Sequence, residues 1–277
     1  MKIIIRGSRG SIPTTGPEIE NYGGNTSCTE ISAQGWYLLL DGGSGMRNAN
    51  NMEKPLHKRL DILLTHLHMD HIQGLGFFRP LFDPEMEIHI WGPASSTSSL
   101  HSRLTTYLSP PLFPVYLRDL PCKLTLHEID NSSFEIGPYQ VQSHYVIHPG
   151  PTVGFRITES NKTFTYIPDH EPALGLNGLT TDPTWMSGFD LAKNADLLLH
   201  DAQYSSSEYA IKKGWGHSSM NDTLHFAAAA GVKHLLLGHH DPGHSDKNLE
   251  EMLLDMKQLN DYTFDFELAK EGMEISL

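Results

Sequence analysis

The segment 65–71, Thr-His-Leu-His-Met-Asp-His, concentrates side chains that can bind metal ions. It follows directly on an apolar run that is typical of a buried strand. His66 and His68 are two residues apart, so in extended backbone they point the same way and can chelate one ion. Asp70 and His71 can face a second ion once the chain turns. A carboxylate combined with imidazoles suits zinc, manganese or iron, so this segment predicts a metal centre.

Two ions need more ligands than one segment offers, and later parts of the chain supply candidates. His148, Asp169 and His239 each come at the end of a short apolar run. In α/β folds, functional groups commonly collect at strand ends, where a rigid sheet positions them. We therefore expect these three side chains to join the histidine-rich segment.

The elements that must position these residues are short strands alternating with turns and a few helices. The predicted strands are Lys2–Arg6, Trp36–Asp41, Asp61–Thr65, Glu87–Trp91, Lys123–His127, Tyr139–Ile147, Thr152–Ile157, Thr163–Ile167, Asp196–His200 and His234–Gly238. The predicted helices are Ser98–Leu108, Asn221–Ala230 and Leu249–Gln258. This mixture predicts a layered α/β sandwich. No linker or internal repeat is evident, so we expect residues 1–277 to form a single domain.

The composition restricts partners and location. The 277 residues carry 20 Lys plus Arg against 33 Asp plus Glu, a formal net charge of −13. Because nucleic-acid binding depends on cations that neutralise phosphates, a large nucleic acid is not the expected partner, whereas a small anionic substrate at a local cationic centre is. No apolar run approaches the roughly 18 residues of a membrane span, and no membrane association is expected. With two cysteines and no signal-peptide pattern, the expected location is cytoplasmic.

The histidine-rich segment, followed in order by His148, Asp169 and His239, resembles the signature of the metallo-β-lactamase-fold hydrolases. Further motifs resemble the phosphodiesterase branch of that family, which includes tRNase Z and small cyclic phosphodiesterases. They are Gly7–Pro13, Gly23–Cys28, Leu40–Gly45, Leu199–Ala202 and Gly216–Ser219. The resemblance covers most of the chain and implies a four-layer αββα sandwich.

The resemblance also implies a set of ligands for two divalent metal ions, with zinc preferred and manganese or iron as alternatives. One ion would take His66, His68 and His148, the other would take Asp70, His71 and His239, and Asp169 would bridge the two. His240 is the alternative to His239 for the last position. Asp41, at the end of a predicted strand, would hold a ligand histidine through its other ring nitrogen.

A proton donor completes the site that the resemblance implies. Two cations about 3.5–4 Å apart can turn a shared water into a bridging hydroxide that attacks phosphorus. His217 would then protonate the leaving oxygen, with Asp201 orienting its ring. Asp70 is counted with these two as catalytic. The chain departs from tRNase Z in carrying Asp201 in place of a longer Glu and Ser219 in place of the Thr of the His-Ser-Thr motif.

The predicted function is therefore a dinuclear metal-dependent phosphodiesterase acting on a small phosphodiester, preferably a cyclic nucleotide. A tRNase Z-like RNA endonuclease is the first alternative, although the sequence shows no basic or glycine-rich arm that could reach out to a tRNA. Hydrolysis of a carbon ester, a lactone or a β-lactam is a second alternative. A non-catalytic metal-binding sensor is a third. The resemblance is also compatible with a homodimer.

Overall fold

The computed structural model describes residues 1–53, 55–174, 179, 182, 185–259 and 262–277. In this part of the chain the strands are β1 Lys2–Gly7, β2 Cys28–Ala33, β3 Trp36–Leu40, β4 Arg59–Leu63, β5 Glu87–Pro93, β6 Lys123–Ile129, β7 Ser132–Ile136, β8 Tyr139–Tyr145, β9 Val153–Glu159, β10 Lys162–Ile167, β11 Leu197–Asp201, β12 His234–Gly238, β13 Asp265–Leu268 and β14 Glu274–Ser276. The α-helices are α1 Met69–Ile72, α2 Leu100–Tyr107, α3 Phe189–Ala192, α4 Ser206–Lys212, α5 Met220–Ala230 and α6 Asp246–Leu259.

The strands form two seven-stranded sheets. Their orders are β14-β1-β2-β3-β4-β5-β6 and β13-β12-β11-β10-β9-β8-β7. Strands β3 to β6 run parallel in the first sheet, and β10 to β13 run parallel in the second. Strand β8 has the same direction as β10, because each pairs antiparallel with β9. Since strands of one direction end at one edge of a sheet, the residues that follow β8, β10, β11 and β12 lie at a common edge.

Three buried apolar clusters define the layers. The middle cluster joins the facing sides of both sheets and includes Leu38, Leu40 and Phe155. A second cluster, which includes Leu39, packs the other face of the first sheet against α2. Successive side chains of β3 thus enter different cores, because a strand points alternate residues to opposite faces. A third cluster packs the second sheet against α3, α5 and α6. The order helix, sheet, sheet, helix confirms the predicted four-layer αββα sandwich.

Every predicted strand and helix corresponds to an observed element, with ends that differ by up to three residues. The sequence does not predict β2, β7, β13, β14, α1, α3 or α4. Strand β2 lacks a clear apolar pattern because it buries Glu30, whose carboxylate is paired with Arg6 at 2.7 Å. Helix α4 begins with a capping box between Ser205 and Glu208, a signal that is present in the sequence.

The cysteines and the helices also bear on the sequence expectations. Cys28 and Cys122 are both buried and unpaired, in keeping with a chain that has no disulfide framework. Among the described residues, no helix is both long and apolar enough to cross a lipid bilayer.

Candidate metal centre

The histidine-rich segment joins the end of β4 to the short helix α1. His66 lies in extended chain after β4, and His68 is the residue that precedes the first turn of α1. Asp70 and His71 are buried within that turn, and the backbone N–H of His71 donates to the carbonyl of His68 at 3.0 Å. The strand-to-helix turn therefore separates the segment into two pairs of candidate ligands.

One group of ligand atoms belongs to His66, His68 and His148, which lie within 4.8 Å of one another. Nε2 of His148 is 3.2 Å from Nδ1 of His68. The other ring nitrogens of His66 and His148 have partners outside the group. Nδ1 of His66 is 3.0 Å from the hydroxyl of Thr65, and Nδ1 of His148 is 2.7 Å from the carbonyl oxygen of Gly216. These contacts leave the Nε2 atoms of both rings for a cation.

The second group consists of Asp70, His71, Asp169 and His239, also within 4.8 Å of one another. Nε2 of His239 is 3.3 Å from Oδ2 of Asp70, and Nε2 of His71 is 3.0 Å from Oδ1 of Asp169. Oδ2 of Asp169 is 3.2 Å from Nε2 of His239 and 3.6 Å from Nε2 of His148. Asp169 therefore lies between the two groups, where a bridging carboxylate would lie.

The two adjacent histidines after β12 face different surroundings. His239 has a left-handed backbone conformation, with φ of +57°, and its ring joins the second group. Nε2 of His240 instead lies 2.8 Å from the carbonyl oxygen of Ala269, to which it can donate. The structure thus brings His239, and not His240, to the cluster.

Asp41 follows β3 and is completely buried. Its Oδ2 is 2.8 Å from Nδ1 of His71 and accepts the hydroxyl of Tyr166 at 3.0 Å. Its Oδ1 accepts the backbone N–H of Thr65 at 2.8 Å. Sequence analysis predicts a contact between Asp41 and a ligand histidine without naming it, and the structure shows the contact with the candidate ligand His71. Tyr166 and Thr65 are additional partners that sequence reasoning missed. Nothing local in the sequence links β10, or the residues that follow β4, to Asp41.

Burial and neighbouring charges shift the pKa values of these groups in opposite directions. Burial alone would raise the pKa of Asp169, but the imidazoles of His239, His71 and His66 outweigh it and hold the pKa well below its usual range. Burial lowers the pKa of His66 strongly and that of His148 to about 4, which favours the neutral, metal-binding imidazole. Burial also opposes charge on His239, yet Asp169 and Asp70 raise its pKa to about 9. The carboxylates therefore attract positive charge to the cluster.

The atoms left without partners test whether metal ions fit. Nε2 of His66 is buried and makes no hydrogen bond, and Nε2 of His71 and Oδ1 of Asp169 are buried 3.0 Å apart without the geometry of a hydrogen bond. Buried polar atoms without partners are costly, and here they converge on one cluster with further imidazole and carboxylate donors. Mixed nitrogen and oxygen donors suit zinc, manganese and iron. The residues present therefore fit divalent cations.

A carboxylate–histidine pair adjoins the cluster. Asp201 ends β11, and its Oδ2 is 2.7 Å from Nδ1 of His217, whose side chain is 11% exposed. The backbone N–H groups of His170, Gln203 and Ser218 also donate to the Asp201 carboxylate at 3.1–3.2 Å. Nδ1 of His217 is 3.9 Å from Oδ2 of Asp169, so the pair lies directly beside the cluster. Asp201 can orient the ring of His217 and leave Nε2 available for proton transfer.

Glu171 is a further buried residue near the site that sequence reasoning missed. Its carboxylate accepts the backbone N–H groups of Gly214 at 2.7 Å and Gly216 at 2.8 Å, and the hydroxyl of Tyr209 at 3.0 Å. It thereby anchors the loop that leads into His217. No local sequence signal identifies this role, because the partners lie more than 35 residues further along the chain.

Comparison with known proteins gives the family. Residues 37–240, more than half of the chain, match the family model described as the beta-lactamase superfamily domain. The chain belongs to this superfamily. The predicted metallo-β-lactamase fold and the predicted class of metal-dependent hydrolase are confirmed.

Two relatives illustrate where the chain lies within the superfamily. The ribonuclease Z of Lactococcus lactis is 27% identical over 234 residues, which cover 69% of this chain and 73% of that protein. The ribonuclease Z of Streptococcus suis is 26% identical over 266 residues, which cover 78% of this chain and 83% of that protein. These similarities support the tRNase Z-like phosphodiesterase branch.

Solved structures share the fold over the whole chain. The short form of human tRNase Z superposes with a TM-score of 0.69 at 21% identity, covering 100% of this chain and 99% of that one. The metallo-beta-lactamase fold protein YhfI from Bacillus subtilis has a TM-score of 0.72 at 18% identity, covering 99% and 98%. At these identities the likeness establishes the fold alone.

The expectation that a large nucleic acid is an unsuitable partner is wrong. The relatives above are ribonucleases, and they are similar to this chain over most of its length. The error has a physical source: the net charge of −13 averages over the metal-free chain. A phosphate group meets the local potential of the site instead, and bound divalent cations reverse the sign of that potential.

Proposed function

We propose that this chain is a dinuclear metal-dependent phosphodiesterase of the ribonuclease Z type, which cuts a phosphodiester bond of RNA. The observation that carries the proposal is the Asp201–His217 pair, joined at 2.7 Å directly beside the histidine and aspartate cluster. A phosphodiesterase needs such a donor because its leaving oxygen must be protonated. The similarity to ribonuclease Z supports RNA over the cyclic nucleotide preferred from the sequence.

We assign the ligands from the two groups of the cluster. His66, His68 and His148 would hold one cation, Asp70, His71 and His239 would hold the other, and Asp169 would contact both. Zinc is the preferred ion, with manganese and iron compatible with the same donors. When bound, the cations supply Lewis acidity, which activates water near neutral pH and offsets charge on the phosphate oxygens.

The residues of the chain then have distinct tasks. The Asp201 carboxylate accepts the Nδ1 proton of His217, which fixes the orientation of the ring and leaves Nε2 facing the site. Nε2 of His217 donates its proton to the leaving oxygen as the phosphorus–oxygen bond breaks. Asp201 serves this role although it is shorter than the Glu of tRNase Z, because the end of β11 brings its carboxylate to the ring.

The test uses the metal-loaded protein and a short RNA hairpin that carries a 3′ extension. We expect wild-type protein to cut the RNA and His217→Ala to lower kcat by about 10²- to 10⁴-fold. His225→Ala removes an exposed histidine of α5 and is the matched control, with no expected change. If the protein hydrolyses no phosphodiester, including bis(p-nitrophenyl) phosphate, the proposal is wrong. Cleavage of nitrocefin alone would favour β-lactam hydrolysis.

A small cyclic nucleotide is the second candidate substrate. The described residues between His148 and Asp169 form the paired strands β9 and β10 without a long extension. This part of the chain therefore offers no arm that could reach out to a large RNA, which favours a small substrate. Both substrates need the same two groups of ligands and the same proton donor. A cyclic-nucleotide panel assayed beside the RNA separates them, because hydrolysis of the panel with intact RNA would replace the first proposal by the second.

A further inference from the structure

Trp215 is an exposed aromatic residue next to the candidate proton donor. Its side chain is 64% exposed, and it lies two residues before His217. Single exposed apolar residues are common on protein surfaces and need no explanation by themselves. The position of Trp215 and the way its loop is held distinguish it from such residues.

The loop holds Trp215 from both sides. Gly214 and Gly216 have φ angles of +91° and +93°, which glycine adopts without the strain of other residues. Their backbone N–H groups donate to the two carboxylate oxygens of buried Glu171 at 2.7 and 2.8 Å. The backbone on each side of Trp215 is therefore fixed, while its indole stays in solvent.

The fixed loop borders the candidate metal centre. Gly216 follows Trp215 directly, and its carbonyl oxygen is 2.7 Å from Nδ1 of the candidate ligand His148. A Cβ atom on Gly216 would lie only 2.2 Å from Cδ of Pro149, so the loop packs closely against the segment that carries His148. Since consecutive Cα atoms are about 3.8 Å apart, the backbone of Trp215 is within about 8 Å of that of His217.

Two lysines, Lys212 and Lys213, precede Trp215 in the chain. Lys213 is exposed in the same loop, and Lys212 lies at the end of α4, where its ammonium is 3.0 Å from Asp241 and 4.3 Å from the ring centre of Tyr204. Proteins that bind single-stranded nucleic acid combine cations that follow the backbone with aromatic rings on which bases stack. Lys212 is already paired with Asp241, so the loop offers exposed Lys213 and the exposed ring of Trp215, both within four residues of the candidate proton donor.

We propose that Trp215 is a stacking platform for a nucleobase adjacent to the phosphate that is cut. The ligand class is a nucleotide with an unpaired base, which the indole contacts through its π-face while the phosphate occupies the metal centre. Stacking tolerates any base, so this residue would add affinity without strict sequence preference. The inference rests on the proposed function and names the part of the substrate that this loop recognises.

The test compares two substrates and four proteins. The substrates are the RNA hairpin with its 3′ extension and the same RNA with abasic nucleotides on either side of the cleaved bond. The proteins are the wild type, Trp215→Ala, Trp215→Phe and Leu56→Ala. The control residue Leu56 is 72% exposed and lies before β4, at the end of the strand opposite to His66.

We expect Trp215→Ala to lower kcat/KM for the normal RNA by about tenfold or more. With the abasic RNA, kcat/KM of Trp215→Ala should stay close to that of the wild type. Trp215→Phe retains a ring and should keep most of the activity, and Leu56→Ala should match the wild type. Unchanged activity of Trp215→Ala, or an equal loss on both substrates with unchanged circular dichroism and zinc content, would overturn the stacking role. Failure of wild-type protein to cut either RNA would instead overturn the proposed function.

Discussion

At the scale of single residues, the centre depends on the ring nitrogens that face away from the cluster. Nδ1 of His71 contacts Asp41, and Nδ1 of His148 contacts the carbonyl oxygen of Gly216. Such contacts fix the orientation of a ligand ring and raise its basicity. The resemblance to metallo-β-lactamase-fold hydrolases predicts that Asp41 contacts a ligand histidine. The contact between the carbonyl oxygen of Gly216 and the ring of His148 joins residues 68 positions apart, so no local sequence pattern predicts it.

Asp41→Asn tests the first of these contacts. The variant keeps the size of the side chain but loses the carboxylate that accepts from His71 at 2.8 Å. We expect zinc affinity or RNA cleavage to fall by about 10- to 100-fold. Tyr166→Phe removes only the hydroxyl that donates to Asp41 and should have a smaller effect. Competition with a zinc chelator measures the affinity, and an unchanged value for Asp41→Asn would refute the role of this carboxylate.

Gly10→Ala tests the position of His239. A Cβ atom at Gly10 would lie 2.3 Å from Nδ1 and Cε1 of the His239 ring, so the ring or the loop must move. The next residue, Ser11, donates its backbone N–H to Asp70 at 2.7 Å, so this movement disturbs two candidate ligands that we assign to one cation. We expect zinc content to fall from about two ions per chain to about one.

Elemental analysis of the purified variant measures this loss. Gly243→Ala is the control, because its nearest neighbour is the flexible carboxylate of Asp241 at 3.1 Å. Full zinc content in Gly10→Ala, with native circular dichroism, would contradict the placement of His239.

At the scale of elements, parallel strands that end at one edge explain why ligands far apart in sequence meet. Short apolar runs identify β4, β8, β10 and β12 in the sequence, and the polar residues after these runs are the candidate ligands. The edge strands β7, β13 and β14 are short and partly exposed, so they carry little apolar pattern. Glu171 escapes prediction for another reason: a buried acid that binds backbone N–H groups looks like a surface residue in the sequence.

Glu171→Gln tests whether the loop before His217 must be held in place. The amide offers one oxygen where the carboxylate offers two, so one of the backbone N–H groups of Gly214 and Gly216 loses its acceptor. Because small misplacements of catalytic groups are costly, we expect kcat for RNA to fall by up to about 10²-fold while KM stays within about twofold.

Tyr209→Phe is the matched variant for this loop, since it removes a donor to Glu171 and leaves both glycine contacts intact. It should keep kcat close to the wild-type value. A lower melting temperature of Glu171→Gln with unchanged kcat would show that the residue is merely structural.

At the scale of the whole molecule, the two sheets share the middle apolar cluster, to which each contributes buried side chains. We therefore predict that residues 1–277 unfold as one domain. Urea unfolding followed by circular dichroism and by tryptophan fluorescence should give coincident single transitions, and zinc should raise the midpoint by binding the native state. Two separated transitions would contradict the single domain.

The most direct test of a dinuclear phosphodiesterase that cuts RNA is metal-dependent cleavage by a sample whose zinc content is counted. We predict about two zinc ions per chain, loss of RNA cleavage on removal of the metal, and recovery as zinc is added back. Cleavage that persists in metal-free protein would contradict the central claim. So would about two bound zinc ions in a chain that leaves every phosphodiester intact.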